Sequence, residues 1–349
     1  MSNDTFIKKF FAINPLIEVM ARTIYYANFK YLKKFVHLYR QSPYLNKKDK
    51  KKIISLDNKK IDLKKIFKII GNKYIKKGDL VIFSSSYKSI KNSGFSPKQV
   101  LEMLLDLIGK NGTLAMSARP NFEINLNNYL ANKKDKKVYL YNVNKTKCNT
   151  GIIAQELLNM KKSIRSKHPI NSMVAIGPLA KYLMKDNLVD NNSLAHGINS
   201  SWYKCAVKNA KILSIGVDLI ESATLIHTVE DAFVEKWPIK NWYRDKNFTV
   251  KDGLFNKSFV LKERMPKWIL HYADRTLCKD FSNEKILKSY NFYGVNVEYA
   301  NSKKLLYFLK KRINKSYPYF YTKINLLKFI NWLNKSYEIY KKIKATLYL

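Results

Sequence analysis

Lys211-Ile212-Leu213-Ser214-Ile215-Gly216-Val217 is the clearest buried strand in the chain. A short run dominated by Ile, Leu and Val and closed by glycine fits the interior of a sheet. The residues after it, about 223 to 235, have helical character. Upstream, Leu80-Val81-Ile82-Phe83 is a second apolar strand. Ser96 and Pro97 then open a helix, Ser as N-cap and Pro at the first helical position. Val100, Leu101, Leu104, Leu105 and Ile108 lie along it at core spacing, and Gly109 and Gly112 bracket its end. Thr113 to Met116 reads as a strand, Gly151 to Met160 as a helix, and Met173 to Ile176 as a strand stopped by Gly177-Pro178. Such alternation specifies an α/β fold with a layered sheet core. Phe248-Thr249-Val250 and Phe259-Val260-Leu261, flanking Asp252-Gly253, predict a hairpin insertion.

Three zones follow. Residues 1–60 form a basic, aromatic lead-in with apolar residues at helical spacing from Phe10 to Leu32 and a charged break at Lys47 to Lys52. Residues 61–282 hold the α/β domain. Residues 283–349 read as a basic helical extension, with Leu305, Leu306, Phe308 and Leu309 repeated by Leu326, Leu327, Phe329, Ile330 and Leu333. A lysine- and tyrosine-rich amphipathic helix can lie on a membrane surface, although packing on the body is commoner.

Composition narrows the function classes. Of 349 residues, 46% are hydrophobic, enough for a sizeable core. No stretch reaches the roughly 18 to 20 uninterrupted apolar residues of a transmembrane helix. Met1-Ser2-Asn3-Asp4 lacks the features of a signal peptide, so the expected location is the cytoplasm, with attachment at the inner membrane surface left open. Cys148, Cys205 and Cys278 are far apart and form no CxxC pair, which argues against a zinc site or a disulfide framework. No metal is expected. The net charge is +39, but the lysines are spread along the chain beside many Asn, Ile and Tyr, the usage of an AT-rich coding sequence. Scattered charge usually marks solvated faces, with attraction of a polyanion as the other reading.

Five histidines are present: His37, His168, His196, His227 and His271. His168 stands in Arg165-Ser166-Lys167-His168-Pro169, ahead of a strand. A loop histidine is more often packed or solvated than catalytic. After the central strand, Thr224, His227 and Glu230 recur at intervals of three and share one face of a helix. Glu221 lies at the positive end of that helix, where a carboxylate stays ionised. Either carboxylate could orient a histidine, and a plain helix cap with a polar pair explains the spacing equally well. Ser84-Ser85-Ser86-Tyr87-Lys88-Ser89 follows the first strand and offers hydroxyls and amides to a phosphate or a pantetheine chain. No Walker loop, GxGxxG fingerprint or GxSxG elbow is present.

Taken in order, four blocks resemble the aminoglycoside 3-N-acetyltransferase family over roughly residues 65 to 265. They are Gly78-Asp79-Leu80-Val81 through Ser86 with Gly109 to Leu114; Arg165-Ser166, His168-Pro169, Ser172 and Ala175 to Pro178; Ala195-His196-Gly197 with Ser200; and Lys211 to Gly216 with Thr224, His227 and Glu230. The resemblance implies a sheet core with helices on both faces, to which helical N- and C-terminal extensions are added. It implies acetyl-coenzyme A as co-substrate, lying along Ser84, Ser86, Lys88 and Thr113, with Ser200 close by. It implies direct acyl transfer to an amine of an aminoglycoside or amino sugar, with His168 as general base and Glu221 or Glu230 assisting it.

The chemistry suits such a scheme. An ammonium attacks a thioester only after losing a proton, and a histidine with a pKa of about 6.5 can take it near neutral pH. A hydroxyl such as Thr224 or Ser200 could support the oxyanion. Against the family, the chain carries 65 basic residues and only 26 acidic ones. That balance favours an anionic acceptor, such as an amino sugar on a nucleotide or a lipid-linked glycan precursor, over a polycationic drug. The second reading is a non-catalytic protein on the same fold, docking on nucleic acid or membrane through its basic surface. Intact His168, His227 and Glu230 oppose it. Nucleic acid is not an expected partner, and a homodimer is left open.

Overall fold

A computed structural model describes residues 9–27, 61–122, 137–222, 224–265, 272–313 and 335. The strands, in chain order, are β1 (Leu80–Ser85), β2 (Thr113–Ser117), β3 (Val138–Asn142), β4 (Ile164–Arg165) and β5 (Met173–Ile176). They continue with β6 (Lys211–Ile215), β7 (Tyr243–Asp252), β8 (Phe255–Arg264), β9 (Leu287–Phe292) and β10 (Val295–Asn301). Seven form one mixed sheet in the order β4-β5-β2-β1-β6-β10-β9. At its centre, β1 runs parallel to both β2 and β6. The outer pairs are antiparallel.

Parallel neighbours need a crossover, and the helix Pro97–Ile108 supplies it between β1 and β2. Its start follows the sequence signal. Ser96 Oγ accepts from Gln99 N at 3.3 Å while Gln99 Oε1 accepts from Ser96 N at 2.9 Å, a reciprocal capping box.

Successive strand residues face opposite sides. Leu80 and Ile82 join a core with Trp202, Leu225 and Phe281. Val81 and Phe83 join another with Leu63, Leu101 and Leu104. Both faces of the sheet are therefore covered by helices, as the resemblance implied. Each fully buried Ile, Leu or Phe contributes about 1.5–3 kcal/mol.

A second sheet, β3-β7-β8, stands apart. Its long hairpin turns at Asp252–Phe255, where Gly253 takes a φ of 60°, matching the predicted insertion. Tyr141, Phe248, Val250 and Leu261 form its small core.

Two expectations change. Residues 283–349 do not begin as a helical extension: β9 and β10 complete the central sheet, and β10 pairs directly with β6. Their hairpin turns at Tyr293 and Gly294, both at positive φ, a turn signal that the neighbouring lysines and tyrosines hide. Helix is present at Ser302–Arg312, while the repeat from Leu326 to Leu333 lies outside the described residues. The segment expected as one helix from 223 to 235 is broken into short pieces: Leu219–Ser222, 3₁₀ turns at Thr224–His227 and Val234–Lys236, and Thr228–Asp231 between them. Thr228 Oγ1 bonds back to the Leu225 carbonyl at 2.7 Å, one of the side-chain bonds that compete with regular helix.

Within the lead-in, the helix Pro15–Ala27 packs on the body. Glu18 accepts from Arg275 N at 2.8 Å, and Arg22 pairs with both Glu18 and Asp274. Among the described residues, no helix is long and apolar enough to cross a membrane.

Gly216 ends β6 at a φ of 73°, and a Cβ there would meet Ser89 Cβ at 2.5 Å. Gly216→Ala is expected to cost about 1–3 kcal/mol through backbone strain and displacement of the Ser86–Ser89 turn. Gly94→Ala, with open space around its Cβ, should cost less. The two urea midpoints, compared at constant m-value, check this.

Candidate active site

The three parallel strands end on the same side, where open α/β sheets form their ligand crevices. A cleft of about 250 Å³ lies there. Ser84 and Ser85 enter it from β1, Met116 and Ser117 from β2, and Val217 from just beyond β6. Loops add Arg119, Asn149, Thr150 and Asn171, and the broken helical segment adds Ser222 and Thr224. Ser85 Oγ is buried without a hydrogen-bond partner among the described residues. Arg119 is exposed, with Nε donating to Asn149 Oδ1 at 3.0 Å.

Not every residue expected at the co-substrate site arrives. Ser84 lines the cleft, as does Thr224, a candidate for the oxyanion rather than the co-substrate. Ser86 supports the turn beneath it, accepting from Ser89 Oγ at 3.1 Å. Lys88 is exposed on the short helix Tyr87–Ile90 and does not line the cleft. Thr113 begins β2, at the opposite end of the sheet, where its buried hydroxyl accepts from Leu179 N at 3.0 Å. Ser200 caps the helix Ser201–Val207 by accepting from Tyr203 N at 3.1 Å. The last two are held by local backbone duties, which spacing alone does not reveal. Cys205 is buried, and burial pushes its thiol pKa up, so no thiolate forms there near neutral pH.

His168 is buried and used by the backbone. Nε2 faces only the Ser193 carbonyl, at 3.0 Å, and so donates to it, which leaves Nδ1 to accept from Ile170 N at 3.2 Å with the Ile170 carbonyl 3.1 Å away. Burial lowers its pKa below the ordinary value and keeps the ring neutral.

The other histidines meet a carboxylate cluster. His227 ends the 3₁₀ turn that Thr224 begins, and its Nδ1 hydrogen-bonds Glu230 Oε1. Glu230 is fully buried. It also accepts from Tyr272 Oη, from Trp242 Nε1 at 2.8 Å and from Arg264 Nη1 at 3.4 Å. Next to it, Asp231 accepts from His196 N at 3.0 Å and from Tyr243 Oη at 2.8 Å. Its Oδ2 lies 3.2 Å from His196 Nδ1. The rings of His196 and His227 are 5.6 Å apart. His196 Nε2 has no hydrogen-bond partner among the described residues. Tyr243 and Arg264 are opposite one another across the β7–β8 hairpin, so the inserted sheet delivers both together.

Charge is balanced within the cluster. Burial raises the pKa of Glu230, but the neighbouring His227 and Arg264 outweigh it and hold the carboxyl below its ordinary range. Burial opposes ionisation of Asp231 too, yet the His196 hydrogen bond and the Arg264 charge win. Arg264 is held above its ordinary value because the two carboxylates overcome its burial. Burial, then the Arg264 charge, pushes His196 down to about 3. The Glu221 side chain lies outside the described residues, so of the two carboxylates named from sequence Glu230 is the one seen against a histidine. Asp231, Trp242, Tyr243, Arg264 and Tyr272 were not singled out from sequence. Only Asp231, beside Glu230, had a local signal.

The sequence profile of the aminoglycoside 3-N-acetyltransferase family matches residues 82–314, more than half of the chain. That range includes β9 and β10. Aminoglycoside N(3)-acetyltransferase IX of Micromonospora chalcea is 26% identical over 168 residues, 45% of this chain and 57% of its own. Aminoglycoside N(3)-acetyltransferase VII of Streptomyces paromomycinus is 26% identical over 206 residues, 53% of this chain and 70% of its own. The chain thus spans 57% of the length of the first of these relatives. In fold, it is similar to the solved aminoglycoside acetyltransferases AAC(3)-Xa, with a TM-score of 0.59 at 15% identity, and AAC(3)-IIb, 0.58 at 19%. The matches cover 76% and 75% of this chain and 98% and 99% of theirs. AAC-IIIb, solved as a binary complex with coenzyme A, matches at a TM-score of 0.53 and 15% identity over 74% of this chain and 96% of its own.

Stability should fall as pH drops from 6.5. Between the ordinary histidine value of 6.5 and about 3, the unfolded chain binds a proton that folded His196 refuses. His168, also lowered by burial, acts in the same direction. Below the ordinary carboxylate values of 4.5 and 3.8, the lowered Glu230 and Asp231 add a second loss. His196 contributes a slope of about 1.4 kcal/mol per pH unit over that window. His196→Asn, which keeps a donor towards Asp231, should remove its share of that slope, read from urea midpoints between pH 6.5 and 4.5.

Proposed function

The chain belongs to the aminoglycoside 3-N-acetyltransferase family, and we propose that it transfers an acetyl group from acetyl-coenzyme A to an amine of a sugar-like acceptor. The observation that carries this reading is the His227–Glu230 pair one 3₁₀ turn from a cleft-lining threonine. In a 3₁₀ turn, residues i and i+3 eclipse, so His227 stands on the same face as Thr224.

Each group has a role. Glu230 accepts from Nδ1 of His227, which makes Nε2 the basic nitrogen and fixes the plane of the ring. Nε2 takes a proton from the acceptor ammonium, and the amine attacks the thioester carbonyl. That first proton passes on to solvent, formation of the C–N bond gives a tetrahedral oxyanion, and Nε2 then takes the second N–H proton and hands it to the thiolate as the C–S bond breaks. The products are an amide and free coenzyme A. Thr224 and Ser85 are positioned to donate to the oxyanion that forms between these steps. Ser85 Oγ, buried without a partner among the described residues, is a donor that a bound thioester would satisfy. The hydroxyl-rich mouth formed by Ser84, Ser117 and Ser222 fits the amide-bearing arm of the co-substrate.

His168 is assigned to structure in this reading. Its two nitrogens already serve the backbone, and taking a substrate proton would break a buried hydrogen bond.

His227→Asn should lower kcat about 10²- to 10⁴-fold in an assay of coenzyme A thiol release, and Glu230→Gln should fall with it, since the two act as one unit. His168→Gln should keep kcat within a few-fold and lose thermal stability. The reverse ranking, with His168→Gln inactive but folded, would return the base to His168.

A further inference from the structure

The identity of the acceptor turns on charge. Arg119 is the only charged group among the described residues lining the cleft, and no carboxylate lines it there. Asn149 Oδ1 fixes Nε of Arg119 at 3.0 Å. That contact leaves the two Nη groups, and Nδ2 of Asn149, without a partner among the described residues. The described carboxylates nearby are already engaged. Glu230 and Asp231 are buried and held by Arg264, tyrosines, a tryptophan and the histidines. Asp218, just after β6, is taken by Arg275 at 2.9 Å and Asn296 at 3.2 Å.

A polycation needs a carboxylate for each ammonium it desolvates. Among the described residues this cleft offers none. An anion meets the opposite conditions. The guanidinium fork binds phosphate through two parallel hydrogen bonds, and Asn149 Nδ2 lies beside it for a further oxygen. Resting on the acyltransferase reading, we propose that the acceptor is an amino sugar carrying a phosphate ester, and that Arg119, with Asn149, takes the phosphate.

Such a phosphate could belong to a nucleotide-linked or a lipid-linked sugar. The full chain would be assayed for thiol release from acetyl-coenzyme A with hexoses aminated at positions 2, 3 or 4. Each would be tested with and without a 1-phosphate, beside kanamycin as the polycation. The best sugar phosphate is expected to exceed its unphosphorylated form at least about tenfold in kcat/KM, with kanamycin lower still. Raising ionic strength should narrow that gap. Arg119→Gln, at an exposed position, should reduce the ratio below about threefold. Nucleoside diphosphate and polyprenyl diphosphate forms of the best sugar then separate the two sources.

Acetylation of kanamycin at an equal or higher kcat/KM overturns the acceptor assignment and leaves the acyltransferase reading standing. So does an Arg119→Gln variant that raises the KM for acetyl-coenzyme A but keeps the acceptor ratio, because the guanidinium then serves the co-substrate. Acetyl-coenzyme A that raises the Tm while no sugar phosphate is acetylated has the same meaning. No acetylated amine and no Tm shift sink the acyltransferase reading itself.

Discussion

Arg264, buried between Glu230 and Asp231, is the contact on which the site depends. Two adjacent carboxylates cannot both stay ionised in an apolar interior without a counter-charge. Arg264 supplies it from the end of β8, across 33 intervening positions of sequence. Removing one partner from a buried charge group typically costs about 3–5 kcal/mol, because the remaining charge is left uncompensated. The contact also has a geometric effect. It ties the small three-stranded sheet to the broken helical segment after β6, and so fixes Glu230 against His227. The ring can then be oriented by Glu230 without help from solvent.

This arrangement explains why the fold was more legible than the site. Strand and helix boundaries rest on local signals. The Ser96-Pro97 start, the apolar runs at Leu80 to Phe83 and Lys211 to Val217, and the Asp252-Gly253 turn each carry their own physics within a few residues. The β9–β10 hairpin escaped because Tyr293 and Gly294 make a turn inside a stretch whose composition matches the lysine- and tyrosine-rich flanks. The site is a meeting of distant residues. Glu230 and His227 could be paired from their spacing, and their contact is seen. Arg264, Trp242 and Tyr272 have no periodic relation to them, so nothing local marked them. His168 carries the opposite lesson. Its His-Pro context drew attention, but the proline that fixes the loop also brings the backbone N–H of Ile170 back onto the ring. The same local geometry that made the histidine noticeable also engages both of its ring nitrogens with the backbone.

The strong basic charge of the chain can be divided in the same way. Much of it lies on exposed lysines spread over the helices, as a solvated surface requires. Inside, two charge groups are compensated by ion pairs, Arg264 with the Glu230–Asp231 pair and Arg22 with Glu18 and Asp274, while the buried Arg165 is held by backbone carbonyls. The cleft differs from both. It is polar but nearly uncharged, lined by hydroxyls and amides, with Arg119 as its one charged described group. Chain-wide charge therefore says little about the acceptor by itself, and the composition of this one crevice says more.

Membership of a family named for aminoglycosides and a cleft without described carboxylates are compatible if catalysis and acceptor recognition are carried by separate groups. The proposed base, His227 with Glu230, sits on the segment after β6, packed under Arg264 and the inserted hairpin. Arg119 and Asn149 sit on loops following β2 and β3. The buried charge cluster has its own partners in Arg264, Tyr243, Trp242 and Tyr272, so loop residues can change while these stay in place. A sheet that keeps the histidine and its carboxylate fixed can thus accept a different amine when the loops above it change charge.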